Sequence, residues 1–429
     1  MKYLEEKGIH RRHAEINRLK LGCAGIRKTT GQHPGGLIIV PEGRDINEFT
    51  PVQRPANDQE SKITTTHFDY HSAIEGRLMK LDILGHDVPT IIRMLQDETG
   101  IDPLAINLGD QDVLSLFTSP EPLGVSLDSI NCSTGSLGIP EFGTGFVRNM
   151  LMDTNPRSFA ELVRISGLSH GTDVWLNNAQ DIIRDGVASL KEIVPSRDDI
   201  MVYLTGMGVD KTEAFKIMEN VRKPNTILTE EQADVMAEAG VPEWYIESCR
   251  RIKYLFPKGH AVAYVMMSVR IGYFKIHHPL SFYAASFSVK AEEFDYNIMC
   301  AGPDVAKDAY DRFMSMGKDA TATDKNTLVL LELVLEMYAR GFGFLPLDLY
   351  ESEVSRFRVR ENSLLPPLCT VAGLGVSAAK SIAKARKKGK FVTIEDFSER
   401  TKTNRAVTEL LKQHGALAGM PETNQITLF

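Results

Sequence analysis

Apolar residues recur at helical intervals along most of this chain, and short strand-like runs are confined to two regions. Residues 1–22 have a loose helical spacing, whereas 37–40, 62–68 and 78–85 are short apolar or β-branched runs typical of strands. From 96 to 345 the pattern is mainly helical, with interruptions at Pro and Gly. The pattern predicts a mixed α/β chain that is mainly α, with the run at 37–40 buried.

The pattern changes near residue 345. Residues 345–367 suggest strands and end in Pro366-Pro367, and the residues that follow are helical and basic. A chain of 429 residues suggests two to four domains, at ~100–200 residues for each domain. We therefore expect a separate domain near the C-terminal end, followed by a short tail.

Composition is ordinary for a globular protein, so charge is informative only locally. The formal net charge is -7, which gives no global basic field that would attract nucleic acid. Lys and Arg are nevertheless concentrated in residues 1–34, 250–278 and 380–412. Basic patches on an acidic chain fit grooves that hold polyanions, although solvated faces explain any one patch equally well.

The cysteines and the N-terminal residues favour a cytoplasmic protein. The five cysteines are widely spaced and none forms a CxxC pair, which argues against a disulfide framework and against a zinc site. The first residues hold no apolar segment typical of a signal peptide. No apolar run approaches the ~18–20 residues of a membrane span, so we expect no membrane partner.

Asp82 lies inside the apolar run at 78–85. Strand alternation places Lys80 and Asp82 on one face of that strand, away from Leu81. Such charges are costly in an apolar strand unless they meet partners, and metal ions or phosphates are suitable ones. An Asp–Lys pair at a strand end is the alternative, and on these residues alone it is favoured.

A glycine-rich loop carries cations just before the run at 37–40. Arg27, Lys28, Gly35 and Gly36 combine positive charge with a backbone that a phosphate can approach closely. The loop has no P-loop pattern. It suits a nucleotide or a sugar–phosphate backbone, whereas a tight turn before a strand is the simpler interpretation on physical grounds.

Residues 254–280 predict one long helix with a cationic start. The apolar stripe of that helix consists of His260, Tyr264, Met267, Ile271 and Phe274. Lys258 and His260 lie at the helix start, where the dipole already favours anions, and Arg270 adds charge further along. The segment suits an incoming nucleotide triphosphate; a core helix with charged ends is the alternative.

The C-terminal region contains two binding candidates. Gly373 and Gly375 precede a helix that carries Lys380 and Arg386, a helix–hairpin–helix pattern that binds a DNA phosphate without reading sequence. Such units also serve as protein contacts. The tail that ends the chain suits a pocketed groove on a partner, or packs back on its own domain. Its candidate anchors are Gln425, Leu428 and Phe429.

Several of these segments resemble the PolC type of bacterial DNA polymerase III alpha subunit, a C-family replicative polymerase. The segments that resemble its palm are GIRKTTGQHPGGLIIVP at 25–41, TTTHFDYHS at 64–72 and LMKLDILGHDVPT at 78–90. In that family the Asp of KLDILGHD is the third metal-binding carboxylate, a role that the resemblance gives to Asp82. The other two lie in an Asp-x-Asp motif, which does not precede Asp82 here, so we expect a partial palm.

The resemblance extends to the fingers and to the tail. Residues 134–151, 160–183 and 254–280 resemble the family's fingers, in which the Phe-Pro-Lys-x-His element and a downstream Arg face nucleotide and template. The family usually has Ala where this chain has Gly259. Further candidate phosphate or base contacts are Arg148, Arg164, His170 and Arg197. The tail resembles the sliding-clamp-binding motif of bacterial polymerases.

The resemblance implies DNA-templated DNA synthesis in chromosomal replication, with Mg²⁺ as cofactor. It implies a nucleotidyltransferase-like partial palm at 1–95, fingers at 96–345, a duplex-binding helix–hairpin–helix domain at 346–420 and a clamp-binding tail at 421–429. Lys80, Arg197, Lys258, His260 and Arg270 would handle phosphates.

The expected partners are primer-template DNA, dNTPs, a sliding clamp and the polymerase's missing N-terminal portion, because the chain is expected to be its C-terminal portion. Alone, the chain is expected to be inactive. A non-catalytic protein that binds DNA and the clamp is the alternative.

Overall fold

The computed structural model describes residues 6–8, 12–25, 31–33, 35–55, 60–83, 85–223 and 226–423. The chain forms two compact units, residues 1–86 and residues 87–429. Helices predominate, as the sequence predicted. None of the described helices combines the length and the apolar character needed to cross a membrane.

The first unit contains one helix and two small antiparallel sheets. Helix α1 (His13–Cys23) has no buried residue. Strand β1 (Gly36–Ile39) pairs with β4 (Met79–Asp82), and β2 (Val52–Gln53) pairs with β3 (Thr65–Thr66). A 3₁₀ turn at Ile46–Glu48 and a π-helical turn at Tyr70–Ile74 connect the strands.

The β1–β4 sheet exposes an apolar face. Leu37 lies opposite Leu81 and Ile39 lies opposite Met79, so these four side chains share one face. Their exposed fractions range from 42% for Ile39 to 64% for Met79. The prediction that the run at 37–40 is buried was therefore wrong. Each strand has a single partner among the described residues, and no described residue of this unit covers that face enough to bury it.

The second unit contains the remaining helices and a three-stranded sheet. Its helices are α2 (Asp87–Thr99), α3 (Gln111–Ser115), α4 (Leu127–Ile130), α5 (Gly145–Thr154), α6 (Phe159–His170), α7 (Gln180–Arg184), α8 (Arg197–Gly206), α9 (Lys211–Arg222), α10 (Glu230–Glu238), α11 (Glu243–Arg251), α12 (Lys258–His277), α13 (Pro279–Ser288), α14 (Tyr296–Met299), α15 (Pro303–Met316), α16 (Ala322–Ala339), α17 (Val376–Arg386), α18 (Ile394–Thr401) and α19 (Arg405–Gln413). Short 3₁₀ or π-helical turns lie at Pro103–Ala105, Glu121–Leu123, Trp175–Ala179, Gly317–Asp319 and Leu368–Thr370.

Helix α12 runs through the core of this unit and packs against α6 and α13. Its second half is buried as predicted, since Ile271 and Phe274 are 0% exposed. Its first half buries Ala261 and Val265, whereas His260 is exposed. The predicted stripe is thus displaced by one residue at its start, which leaves the cationic first turn open to solvent.

The C-terminal part of the second unit contains a small sheet and a separate hydrophobic cluster. Strand β7 (Ser363–Leu365) lies between β5 (Gly343–Phe344), to which it is parallel, and β6 (Arg358–Arg360), to which it is antiparallel. The strands β6 and β7 lie in the region where the sequence predicted strands. Helices α17 to α19 enclose a separate hydrophobic cluster that includes Ile382, Phe397 and Leu411.

Candidate functional site

The start of helix α12 is held by a carboxylate from helix α8. Pro257 is the N-cap of α12 and forms no side-chain capping bond. Instead, the backbone N–H of Lys258 donates to Oδ2 of Asp198 at 2.8 Å. The Nε atom of Arg197 lies 3.7 Å from the same oxygen. The structure thus brings together Arg197 and Lys258, two of the predicted phosphate-binding residues, around one anion at a helix N-terminus.

The ammonium of Lys258 faces a second carboxylate. Its Nζ lies 2.5 Å from Oδ1 of Asp199, and the Ser196 hydroxyl donates to Oδ2 of Asp199, also at 2.5 Å. Ser196 is the N-cap of α8 and is buried. The cations at the start of α12 and the carboxylates at the start of α8 therefore form one compact charged cluster.

Aromatic rings continue this cluster toward helix α6. The ring of Phe256 stacks on His170 with centroids 4.6 Å apart and lies 5.8 Å from the ring of His260. The Nε2 atom of His170 lies 3.0 Å from Glu141, and Nδ1 lies 2.8 Å from the carbonyl oxygen of Ser166. Because both ring nitrogens face acceptors, the imidazolium form is favoured. The Glu141 hydrogen bond raises the pKa of His170.

The Ser169-His170-Asp173 sequence does not form a hydrolytic triad. The Ser169 hydroxyl lies 3.0 Å from Nδ1 of His170, but it donates to the Ser166 carbonyl, which also faces Nδ1. The carboxylate of Asp173 pairs with Lys253 at 2.6 Å. The histidine therefore has no free basic nitrogen directed at the hydroxyl, which a hydrolytic triad would need.

Arg270 lies further along the same helix. Twelve residues separate it from Lys258, which places it about 18 Å along the helix axis. Its Nε atom is buried and has no hydrogen-bond partner among the described residues. A buried guanidinium nitrogen without a partner is costly, so a ligand group at this position would stabilise it. If one ligand contacts both Arg270 and Lys258, the two residues therefore contact different parts of it.

Arg148 and Arg164, two other candidates in this unit, have internal partners. Arg148 forms a two-bond ion pair with Glu332, at 3.1 and 2.9 Å, and donates to the Gly143 carbonyl. Arg164 donates to the carbonyl oxygen of Ile193. Arg148 is thus largely occupied by internal partners, whereas the bond of Arg164 uses one of its five N–H donors, and phosphate binding by either residue stays a prediction.

In the first unit, Lys80 lines a cleft of about 860 Å³. Nζ of Lys80 lies 3.0 Å from Asp82 and 5.2 Å from the Tyr70 ring centroid. Lys80, His33 and Tyr70 line the cleft between the two sheets. The ion pair at the strand end is the alternative that the sequence left open.

The glycines of the loop before β1 are explained by strand pairing. A Cβ atom on Gly35 would lie 2.1 Å from the carbonyl oxygen of Ile83, and one on Gly36 would lie 2.9 Å from Nδ1 of His33. The backbone N–H of Gly35 donates to that His33 nitrogen at 3.2 Å. The close approach of the Ile83 carbonyl and the His33 ring therefore accounts for both glycines, while DNA binding here stays a prediction. Arg27 and Lys28 lie outside the described residues.

The described residues do not form a complete magnesium site. Two-metal chemistry needs several converging carboxylates, and no group of three or more His, Cys, Asp or Glu side chains in the described ranges has that arrangement. Asp82 itself is 51% exposed and pairs with Lys80.

The C-terminal hairpin has the predicted glycine turn, and one of its predicted DNA-binding cations is held by internal partners. Gly373 has a φ of +91°, which favours glycine, and Gly375 is the N-cap of α17. Lys380 is exposed. Arg386, however, donates to the carbonyl oxygens of Leu349 and Ser352 at 2.8 and 2.6 Å. Burial lowers the pKa of Arg386. Arg386 thus has an internal structural role, and a contact between Arg386 and DNA stays a prediction.

The predicted clamp-binding residues Gln425, Leu428 and Phe429 lie outside the described residues. The sequence reasoning also missed Asp198, Asp199 and Glu141. A local signal existed for Asp199, because Ser196 and Asp199 have the spacing of a helix cap. No such signal existed for the partners of these carboxylates, which lie on other elements.

Three family models match the chain. "Bacterial DNA polymerase III alpha NTPase domain" matches residues 2–85 and "Bacterial DNA polymerase III alpha subunit finger domain" matches 88–241. "Helix-hairpin-helix motif" matches 341–426, which supports the hairpin predicted there.

Curated proteins named "DNA polymerase III PolC-type" are similar over the whole chain. The protein from Caldanaerobacter subterraneus subsp. tengcongensis is 53% identical over 428 residues, covering 100% of this chain and 30% of that protein. The Clostridium perfringens protein is 53% identical, covering 100% of this chain and 29% of that protein. The Bacillus subtilis protein is 51% identical over 427 residues, covering 100% and 30%. The chain thus spans about 30% of the length of these relatives.

Proposed function

Because the chain belongs to the PolC-type DNA polymerase III family, we propose that it takes part in DNA-templated addition of dNTPs to a primer 3′ end during chromosomal replication in the cytoplasm. The observation that carries the proposal is the convergence of Arg197 and Lys258 at the start of α12. Two cations and a helix N-terminus are suited to a triphosphate. His260 lies two residues after Lys258, and Arg270 lies further along the same helix. These two residues would contact other parts of the nucleotide or the template.

The chain supplies only part of such a polymerase. We propose that residues 1–86 belong to a nucleotidyltransferase-like palm in which Asp82 is one Mg²⁺ ligand and Lys80 contacts phosphate. The remaining ligands would come from polymerase segments outside the described residues, since these hold no complete site. When bound, the metal would activate the primer hydroxyl and neutralise the leaving group.

DNA and clamp contacts complete the proposal. The hairpin at Gly373–Gly375 and the exposed Lys380 would bind the phosphate backbone of primer-template DNA without reading its sequence. The loop at Gly35–Gly36, with Arg27 and Lys28, would make a second backbone contact. The tail residues Gln425, Leu428 and Phe429 would bind the sliding clamp.

A chimeric polymerase tests the proposal. In the chimera, these 429 residues replace the matched segment of the Caldanaerobacter relative, and primer extension is measured with a primed template, dNTPs and Mg²⁺. We expect the chimera to extend primers, the isolated chain to be inactive, and Asp82→Ala to abolish extension. Glu42→Ala, an exposed carboxylate in the same unit, is the matched control and should leave extension unchanged.

The alternative is a non-catalytic protein that binds DNA and the clamp. Extension by the chimera that is lost in Asp82→Ala would exclude this alternative. A folded chimera that binds primed DNA and clamp but never extends a primer would favour it and contradict the proposed synthesis.

A further inference from the structure

Two carboxylates lie directly against the cations that we assign to the triphosphate. Oδ2 of Asp198 accepts the Lys258 backbone N–H at 2.8 Å and lies 3.7 Å from Nε of Arg197. Oδ1 of Asp199 lies 2.5 Å from Nζ of Lys258. Both acids belong to the first turn of α8. The charges of Arg197 and Lys258 are therefore already matched by two internal anions.

The Asp199–Lys258 pair has one fixed partner and one mobile partner. The Asp199 side chain is 16% exposed, and the hydroxyl of the buried Ser196 donates to it. The Lys258 side chain is 46% exposed and carries its charge on a flexible four-carbon stem. An incoming anion can therefore draw the ammonium away while the carboxylate stays in place.

A triphosphate that needs the Lys258 ammonium must compete with Asp199 for it. An ion pair of this exposure changes an equilibrium constant by a factor of about two to five. The effect is small enough for a triphosphate to overcome and large enough to measure.

We propose that Asp199 is a positioning residue that holds the Lys258 ammonium in the free protein and competes with the nucleotide triphosphate for it. Asp198 keeps the start of α12 in place, so that only the lysine side chain moves when the nucleotide binds. The inference rests on the proposed function, because it concerns the site assigned there to the triphosphate.

The test measures nucleotide affinity in the chimeric polymerase. A primer that ends in a dideoxynucleotide allows the next correct dNTP to bind, with Mg²⁺, without reaction. We expect Asp199→Asn to lower the Kd of that dNTP about two- to fivefold. The gain should vanish in the Lys258→Ala background, because the pair no longer exists there. Asp97→Asn is the matched control, since Asp97 is an exposed carboxylate paired with Arg93 at 2.8 Å.

The outcomes separate the inference from the function on which it rests. If the chimera binds dNTP and Lys258→Ala weakens binding, but Asp199→Asn leaves the Kd unchanged or raises it, the inference is wrong and the function survives. A gain that persists in the Lys258→Ala background would also overturn it. If Lys258→Ala has no effect, the triphosphate assignment fails together with the inference. Melting temperatures monitor folding, and Asp199→Ser replaces Asp199→Asn if the latter unfolds the protein.

Discussion

Nζ of Lys275 lies 2.8 Å from Oε1 of Glu336, and neither side chain is exposed to solvent. Tyr283 donates to the same carboxylate at 2.7 Å, and Lys275 also donates to the carbonyl oxygens of Gly135 and Leu137. Burial lowers the pKa of Lys275, while Glu336 opposes that shift. The network fixes the loop between α4 and α5 against the core helices α12 and α16.

Removing one partner of this buried pair should destabilise the second unit strongly. We expect Glu336→Gln and Lys275→Met each to lower the free energy of unfolding by about 3–5 kcal/mol, because each leaves a buried polar group without its counter-ion. Urea unfolding followed by circular dichroism measures the effect. Asp97→Asn, in the exposed Arg93–Asp97 pair, is the control and should change stability by less than ~1 kcal/mol. A similarly small loss at Lys275 would contradict the buried-pair account.

The Glu141–His170 pair should make stability depend on pH. The folded protein raises the pKa of His170, so the protonated form stabilises the fold. That contribution is complete below the unfolded value of about 6.5 and is lost as pH rises through the folded value. We therefore expect the difference in melting temperature between wild type and Glu141→Gln to be larger at pH 6 than at pH ~8.5. A difference that does not change with pH would show that the pair does not titrate as described.

Gly259 is expected to tolerate a side chain. A Cβ atom at this position would meet no atom within 4 Å. Gly259→Ala should therefore stabilise the start of α12 by about 0.5 kcal/mol, since alanine loses less entropy in a helix. Gly167→Ala is the contrasting control, because its Cβ would lie 2.4 Å from the Pro195 carbonyl oxygen. Chemical denaturation of both variants should give shifts of opposite sign.

Substitutions at Arg386 and Lys380 should have different effects, the first on the stability of the fold and the second on DNA binding. Arg386→Ala removes two charged hydrogen bonds to backbone carbonyls, and we expect it to cost about 1–3 kcal/mol of stability. Lys380→Ala should leave stability unchanged and weaken binding of duplex DNA at low salt. Thermal melts and fluorescence anisotropy with labelled DNA distinguish the two. Equal stability losses in both variants would contradict this division.

The local sequence pattern predicted the secondary-structure elements well, but it predicted the tertiary contacts of their side chains poorly. The long helix at 258–277 and its cationic start follow from the spacing and from Pro257, and the structure has both. That Arg197 and Lys258 both contact Asp198 could not be predicted, because Lys258 lies on a different helix and only tertiary packing brings it there. The family resemblance was confirmed along the whole chain.

Charge alone also does not reveal where a side chain points. Arg386 was interpreted as part of a basic surface, yet its guanidinium turns inward to two carbonyls. The prediction that the strand at 37–40 is buried was wrong for a related reason. Leu37 and Ile39 have the residue types of a core strand, but burial depends on what covers the sheet.

The β1–β4 pairing has a consequence for the order of folding. Ile39 pairs with Met79, so the chain must close a loop of 40 residues (79 − 39) before this ribbon gains any hydrogen bond. An isolated two-stranded ribbon is marginally stable, whereas the helices of the second unit are stabilised by contacts close in sequence. The amides of β1 and β4 should therefore exchange with deuterium long before those of α12, and this ribbon should be the last element of the chain to form.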